Sequence, residues 1–282
     1  MKKRCIITLG LMALITLASC RRIIFEDRRA CPSSLYFAIM NEDLFKVSDT
    51  VYAKVYCQPE DIRAGEATTS IREIVEHDFR FRVKKADAWS GYGLLGVEKS
   101  HPVNDAEWII DEGEQADPLF RFAYRVPGCE EQYVAPVEFL KEHAKVTIRF
   151  VHIDRFTYSQ GQFPFRLVIK GNTCGMDAKT GLPLTGPFRY EPEEAPSGTF
   201  HFILPRQADN ALEMELWAKP GLYEREGLVD TFSLSALFRQ QENVNWEAKN
   251  LPDIYLEVDY VESMYNITAI GWEEEKELIY RM

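Results

Sequence analysis

Few residues in this chain have the types and the spacing that a cofactor or metal site requires. Gly91, Gly93 and Gly96 match the G-x-G-x-x-G pattern of dinucleotide-binding sites, which need a strand before the glycines and a helix after them. Residues 97–102 instead predict a loop, so we interpret the glycines as a hairpin or loop. No G-x-S-x-G elbow is present, and no H-x-x-x-H spacing occurs among the histidines, which are His77, His101, His143, His152 and His201. We therefore predict no catalytic residue, no bound cofactor and no metal site.

Cys20 is the residue with the clearest predicted chemistry. A basic start at 2–4 precedes an apolar stretch from Ile6 to Leu17, which is too short to cross a bilayer but suits a signal peptide. The stretch ends in Leu-Ala-Ser-Cys, which resembles the bacterial lipobox. The resemblance implies cleavage between Ser19 and Cys20 and acyl chains on Cys20, which would hold the protein at a membrane. The alternative is an ordinary secreted signal peptide with an incidental cysteine.

The residues after Cys20 bear on which membrane carries the anchor. Residue 21 is Arg and not Asp, so the inner-membrane retention signal is absent and the outer membrane is favoured. An acidic run, which often follows the lipidated cysteine of surface-exposed lipoproteins, is also absent. We therefore expect an outer-membrane lipoprotein, and surface exposure only as part of a larger assembly.

Four further cysteines, Cys31, Cys57, Cys129 and Cys174, belong to the predicted mature chain. Outside the cytoplasm they have three possible disulfide connectivities, and buried free thiols are the alternative. None has the Cys-x-x-Cys or Cys-x-x-His spacing of a zinc site.

Composition restricts the partners. The 282 residues carry a net charge of −11, or −14 without the basic residues Lys2, Lys3 and Arg4 of the leader. Such a chain is a poor match for nucleic acid, which is bound by neutralising phosphates, and for adsorption to an anionic membrane surface.

The elements that carry these residues are predicted to be strands, because apolar residues recur with a period of two. In 79–84, for example, Phe79, Phe81 and Val83 face one side and the cations face the other. The same pattern predicts strands at 35–40, 51–56, 120–126, 146–150, 163–169, 199–204, 212–216, 254–260 and 265–272. Helical period appears only in 136–144 and 231–241, the second with Asp230 as a possible cap.

Many short strands separated by turns predict an all-β protein of two tandem antiparallel β-sandwiches. The predicted divisions are a signal peptide at 1–19, a lipid tether at 20–30, and sandwiches at 31–140 and 141–282. Five tryptophans offer a possible platform for sugars, although such residues are more often core. They are Trp89, Trp108, Trp217, Trp246 and Trp272.

The order of several segments resembles a known family. A Cys-Pro step opens the first strand at 31–37, a new strand starts at Lys145, and 198–206 and 253–258 follow before a last strand ending at Trp272. This order is similar to the fimbrium-anchoring subunit family of Bacteroidota, the lipoproteins at the base of type V pili. The tail 273–282 runs past the tryptophan with which that family usually closes.

The resemblance implies two transthyretin-like sandwiches and a role without catalysis. The implied partners are fimbrillin-type pilus subunits, joined by strand exchange, and the outer membrane, reached through the acyl chains on Cys20. We therefore expect an anchor or minor subunit of a fimbrium. The alternative is a glycan- or protein-binding surface lipoprotein unrelated to pili.

Overall fold

The computed structural model describes residues 31–77, 79–151, 163–195, 198–219, 227–239, 244–261 and 264–269. Its described part is built almost entirely from strands, as the period of two predicts. The strands of the first half are β1 (Ser33–Ile39), β2 (Thr50–Gln58), β3 (Ile62–Ser70), β4 (Arg80–Val83), β5 (Ala88–Leu95), β6 (His101–Pro102), β7 (Glu107–Ile109), β8 (Phe120–Pro127), β9 (Gln132–Val137) and β10 (Leu140–Lys141). Those of the second half are β11 (His143–Val151), β12 (Phe165–Asp177), β13 (Pro183–Tyr190), β14 (Glu194–Ala195), β15 (Thr199–Pro205), β16 (Glu213–Ala218), β17 (Leu228–Ser233), β18 (Ile254–Val261) and β19 (Met264–Ala269).

The first sandwich packs a three-stranded sheet on a five-stranded one. The strand orders are β4-β1-β9 and β10-β8-β5-β2-β3. Alternate residues of each strand point inward, so that Leu35, Phe37 and Ile39 of β1 are all buried in one core. Across that core, the rings of Phe37 and Phe122 meet edge to face at 5.2 Å.

The second sandwich has the same plan with additional strands. Its sheets have the orders β14-β15-β11-β18-β19 and β17-β16-β12-β7-β6, and β13 also pairs with β12. The core between them contains Val146, Ile148 and Phe150 of β11, packed with Phe165 and Leu167 of β12. The predicted all-β architecture of two sandwiches is thus confirmed.

Not every pair of neighbouring strands is antiparallel. β1 runs parallel to β9, with Phe37 opposite Ala135, and β11 runs parallel to β18, with Ile148 opposite Leu256. The first strand of each sandwich therefore lies between an antiparallel neighbour and a parallel one.

The sandwiches also share a sheet. β6 and β7 come from the first half of the chain, yet β7 extends a sheet of the second sandwich by pairing with β12, where Trp108 lies opposite Met176. A smaller core of Tyr56, Tyr92, Trp108 and Met176 fills the space between that sheet and the outer face of β2 and β5. The two halves are thereby joined by packed side chains as well as by the connecting chain.

In the described residues, helix is confined to one 3₁₀ turn at Glu42–Leu44 and two five-residue helices, α1 (Ile71–Val75) and α2 (Leu234–Phe238). A helix was predicted at 231–241, and α2 occupies part of it. The hydroxyl that caps α2 belongs to Ser233, which accepts from the Ala236 N–H at 3.2 Å, and not to Asp230, which lies within β17.

The helix predicted at 136–144 is wrong. These residues end β9, form β10 and begin β11. Pairing with β1, β8 and β15 supplies hydrogen bonds that so short a helix could not replace, because an isolated helix of nine residues is marginal in water.

Candidate functional site

The residues of the predicted lipobox, Ser19 and Cys20, lie outside the described residues, as do the rest of the leader and the tether to residue 30. Within the described residues, none of the helices has the length and apolar character needed to cross a membrane.

The cysteines Cys31, Cys57, Cys129 and Cys174 form no disulfide in the described structure and lie on different elements. Cys31 and Cys129 are exposed and precede β1 and β9. Cys57 is half-buried in β2, with its Sγ donating to the Lys84 carbonyl at 3.8 Å. Cys174 is half-buried in β12 of the other sandwich, and its Sγ donates to the Leu184 carbonyl at 3.8 Å.

The glycine pattern at 91–96 has a structural use. Gly91 and Gly93 lie inside β5 and only Gly96 follows it, so the expected hairpin or loop is wrong and the segment is mainly strand. A Cβ at Gly91 would stand 2.0 Å from the Lys54 carbonyl oxygen, and one at Gly93 would stand 2.2 Å from the Phe122 ring. These glycines therefore allow neighbouring strands and core rings to approach closely.

A polar cluster binds the turn between β6 and β7 to the first sandwich. The hydroxyls of Tyr56 and Tyr92 donate to the Asp105 carbonyl at 3.1 and 2.9 Å, and Lys54 Nζ lies 3.2 Å from the Asp105 carboxylate. Burial raises the pKa of Tyr92 to about 12. Burial acts to raise the pKa of Asp105 as well, but hydrogen bonding and the charge of Lys54 outweigh it and lower the pKa. The cluster thus combines neutral phenols with paired charges, an arrangement that fixes a hairpin in place.

His143 is buried where the two sandwiches meet. Its Nδ1–H donates to the Leu119 carbonyl at 3.0 Å, because a carbonyl can only accept, and its Nε2 has no partner within the described chain. Burial lowers the pKa of His143 to about 4, so the ring is neutral at pH 7. Across the described ranges, no group of three His, Cys, Asp or Glu side chains is arranged to bind a metal ion.

A buried Arg–Glu–Arg triad crosses the joint between the sandwiches. Glu142, between β10 and β11, accepts from Arg121 Nε of β8 at 3.0 Å and from Arg206 Nε, just after β15, at 2.8 Å. The Glu142 side chain is 2% exposed. Arg206 also donates to the Ala248 carbonyl at 3.0 Å. Sequence reasoning missed this triad, because its members are 21 and 64 residues apart and follow no motif.

The triad forms one wall of an open cleft of about 520 Å³. Trp246 lines the cleft, and its ring packs against Phe238. The other described tryptophans are less available as sugar platforms. Trp89 and Trp108 are buried core, and the guanidinium of Arg166 lies 5.0 Å from the centre of the Trp217 ring.

β9 has one edge that pairs with no strand in the described part of the protein. The Ser34 N–H donates to the Glu131 carbonyl and the Met40 N–H to the Val137 carbonyl, so the odd-numbered residues of this segment face β1. Since backbone groups alternate in direction along a strand, those of Gln132, Val134 and Pro136 point away from β1. Pro136 has no N–H, and proline within a sheet is characteristic of an edge strand.

The second sandwich differs at this position. Its β18 takes the place of β9, since it lies parallel to the first strand of the sandwich, and β19 covers its other edge as an antiparallel partner. Across the described residues, the first sandwich has no strand corresponding to β19. As far as the described residues extend, the two halves of the chain therefore show the same sheet with and without this strand.

Comparisons with known proteins show which solved structures share this architecture. No protein-family model matches the sequence, and no curated protein matches it either. Among solved structures, the fimbrial anchor protein Mfa2 from Porphyromonas gingivalis superposes with a TM-score of 0.61, over 86% of this chain and 98% of that chain, at 10% identity. A candidate adhesin from Bacteroides ovatus gives 0.61, over 86% and 94%, at 10% identity. A candidate polysaccharide-binding protein from Bacteroides thetaiotaomicron gives 0.59, over 86% and 99%, at 12% identity.

At identities of 10–12% these similarities show a shared fold. They extend over nearly the whole of each neighbour, so the tandem arrangement is shared as well as the single sandwich. A fimbrial anchor is among these neighbours, as the resemblance seen in the sequence implies.

Proposed function

We propose that this protein is an outer-membrane lipoprotein that anchors a fimbrium, or forms a minor subunit of one, and that it acts by binding and not by catalysis. The observation that carries the proposal is the fold shared with the fimbrial anchor protein over nearly the whole of both chains. The lipobox-like Leu17–Cys20 segment supports it independently, because an anchor must itself be held at the membrane.

Strand pairing at β9 is the proposed mode of attachment to fimbrillin-type subunits. The open edge offers the N–H groups of Gln132 and Val134 and the carbonyls of Gln132, Val134 and Pro136 to an incoming strand. Main-chain hydrogen bonds of this kind supply affinity in β-augmentation. β19 occupies the corresponding edge of the second sandwich, which supports the view that this fold accepts a strand there.

Replacing Val134 by proline tests this mode of binding. The Val134 N–H points away from β1, so Val134→Pro removes a donor to the partner and no hydrogen bond within the sheet. Val229→Pro is the matched control, because Val229 is also exposed and is the unpaired residue of a bulge on the edge strand β17. We expect Val134→Pro to reduce co-purification of the fimbrillin at least tenfold and Val229→Pro to leave it unchanged.

Circular dichroism and the melting temperature establish that both proline variants are folded. Equal recovery of fimbrillin with a folded Val134→Pro variant would refute pairing at β9. Losses of the same size in both variants would show that the effect is not specific to this edge.

The anchoring role has its own test. Cys20→Ala removes the thiol that would carry diacylglycerol, and we expect the protein to leave the membrane fraction or to accumulate as uncleaved precursor. Deletion of the gene should leave filaments longer or shed into the medium while fimbrillin synthesis continues. A mature-length Cys20→Ala protein that stays in the membrane fraction would contradict lipidation.

Glycan binding at the cell surface is the second candidate. One structural neighbour is described as a candidate polysaccharide-binding protein, and the cleft beside the triad is lined by Trp246 and by polar side chains such as Asn210. If the deletion strain kept attached filaments of normal length and instead lost binding to one glycan, this function would replace the fimbrial one.

A further inference from the structure

The two exposed cysteines precede two strands that are parallel neighbours. Ser34 of β1 lies opposite Gln132 of β9, and the register continues along both strands to Ile39 and Val137. If this register is extended three residues back from Ser34 and Gln132, Cys31 comes opposite Cys129. The two residues are 98 positions apart in the sequence, so only the pairing of β1 with β9 brings them to the same level.

Hydrogen bonds at the start of the paired strands show that the segments preceding β1 and β9 remain close to each other in the direction of the cysteines. The Ser34 N–H donates to the Glu131 carbonyl at 3.0 Å, and the Ser33 hydroxyl donates to the Glu130 carbonyl at 2.7 Å. Glu130 is the residue next to Cys129. Neighbouring strands are separated by about 4.8 Å, and a disulfide needs Cα atoms roughly 4.4–6.8 Å apart.

We propose that Cys31 and Cys129 form a disulfide in the exported protein, which links the start of β1 covalently to the start of β9. This pairing goes beyond the proposed fimbrial function, and it rests only on the export that the leader predicts. It combines the two possibilities that the sequence leaves open, with one disulfide between Cys31 and Cys129 and free thiols at Cys57 and Cys174.

The surroundings of the other two cysteines favour the same assignment. Cys57 packs against the core of the first sandwich, and burial raises the pKa of its thiol, which reduces the fraction of reactive thiolate. Cys174 lies on β12 of the other sandwich, where its Sγ is covered by β13 next to Gly186. Cys31 and Cys129 are the exposed pair, open to an oxidant.

The oxidant in this step is the disulfide of a thiol oxidase protein in the exporting compartment. The thiolate of one cysteine attacks that disulfide, forms a mixed disulfide and releases one oxidase thiol. The thiolate of the second cysteine then displaces the other oxidase sulfur. The two cysteines lose two electrons and two protons, and the oxidase leaves as the dithiol.

Such a link would serve a tethered protein. β1 is the first described strand after the lipid tether, so a pull on a bound filament is resisted through β1. In the described part of the chain, β1 is held in its sheet by hydrogen bonds to β4 and β9. With the disulfide, force entering at Cys31 is also carried by β9, the strand whose open edge we propose to bind the filament.

Peptide mapping without reduction tests the link on the mature protein extracted from membranes. Trypsin cleavage after Arg29, Lys46, Arg125 and Lys141 releases one peptide of residues 30–46 with Cys31 and another of residues 126–141 with Cys129. We expect the two peptides to be joined by a disulfide, to separate on reduction, and to resist iodoacetamide until then. A link through Cys57 or Cys174 would overturn the proposal, and alkylation of both Cys31 and Cys129 without reduction would show that the link does not form in the cell.

A second arm separates this inference from the proposed export. Protein purified after production in a reducing cytosol is incubated with oxidised glutathione and mapped in the same way. Linked peptides in this arm alone would support the pairing and count against export, whereas linked peptides in neither arm would refute the pairing.

Variants add a stability readout. The melting temperature of the oxidised protein should fall when dithiothreitol is added, and this fall should vanish in Cys31→Ser and in Cys129→Ser. Cys57→Ser is the control and should keep the full response. A response that persists in Cys31→Ser would also refute the link.

Discussion

Glu142→Gln is the substitution that probes the joint between the sandwiches. Glu142 accepts from two guanidinium groups, that of Arg121 on one sandwich and that of Arg206 on the other, at 3.0 and 2.8 Å. Gln has nearly the same shape, but it carries no charge and presents an NH₂ group where one oxygen stood. One arginine would then face a donor, and two buried cations would lose their only shared counter-ion within the described residues.

The expected loss is large because the site is dry. The side chains of Glu142, Arg121 and Arg206 are 2%, 10% and 14% exposed, so water can replace little of the lost attraction. Removing one partner of a buried ion pair costs about 3–5 kcal/mol. For a protein of this size, this corresponds to a fall in melting temperature of roughly 6–20 °C.

Differential scanning calorimetry measures both the size of the effect and its location. We expect Glu142→Gln to lower the main transition and to separate it into two, because the triad couples units that otherwise have their own cores. Glu138→Gln is the matched control. Glu138 pairs with Lys249 at 2.6 Å, but their side chains are 46% and 62% exposed. Such an exposed pair contributes about 0–1 kcal/mol.

If Glu142→Gln and Glu138→Gln lowered the transition equally, the triad would not stabilise the joint. A single transition that fell by the expected amount would show that Glu142 stabilises the whole protein without coupling its halves.

Two further predictions concern groups buried in the sheets and at the joint. The pKa of His143 is lowered to about 4 by burial, against 6.5 in the unfolded chain, so the unfolded state binds the proton first as pH falls. Protonation of His143 should therefore remove about 3 kcal/mol of stability between pH 6.5 and pH 4. Denaturant titrations across this range should show a shallower pH dependence of stability for His143→Phe than for wild type. Equal slopes would refute the lowered pKa of His143. Gly91→Ala should destabilise the protein by about 1–3 kcal/mol or more, because its Cβ would meet the Lys54 carbonyl. Gly227→Ala, where a Cβ meets nothing within 4 Å, should change the urea midpoint little, and similar midpoints for both alanine variants would contradict the close approach.

The period of two identified those strands that bury one face against a core. Leu35–Ile39, Phe81–Val83, Val146–Phe150 and Ile254–Val258 all alternate in the sequence, and all are strands with alternating burial. The sequence pattern does not predict β3, because it is an edge strand in which no residue is fully buried and Gly65 interrupts the pattern. The helix predicted at 136–144 covers the end of β9, all of β10 and the start of β11. Edge strands satisfy less of the hydrophobic pattern on which sequence reasoning depends.

The sequence by itself determined the excess of acidic charge, the all-β class and the arrangement of two sandwiches. Each of these depends on composition or on residues close together in the chain, so local order is enough to define it. Only the tertiary structure decided that β1 and β9 are parallel neighbours and that Arg121, Glu142 and Arg206 meet. It also decided that one edge of β9 pairs with no strand in the described part of the chain. These features join residues that are 21 to 98 positions apart in the sequence. They meet because of the register in which the strands pair, and no local sequence pattern encodes that register across such distances.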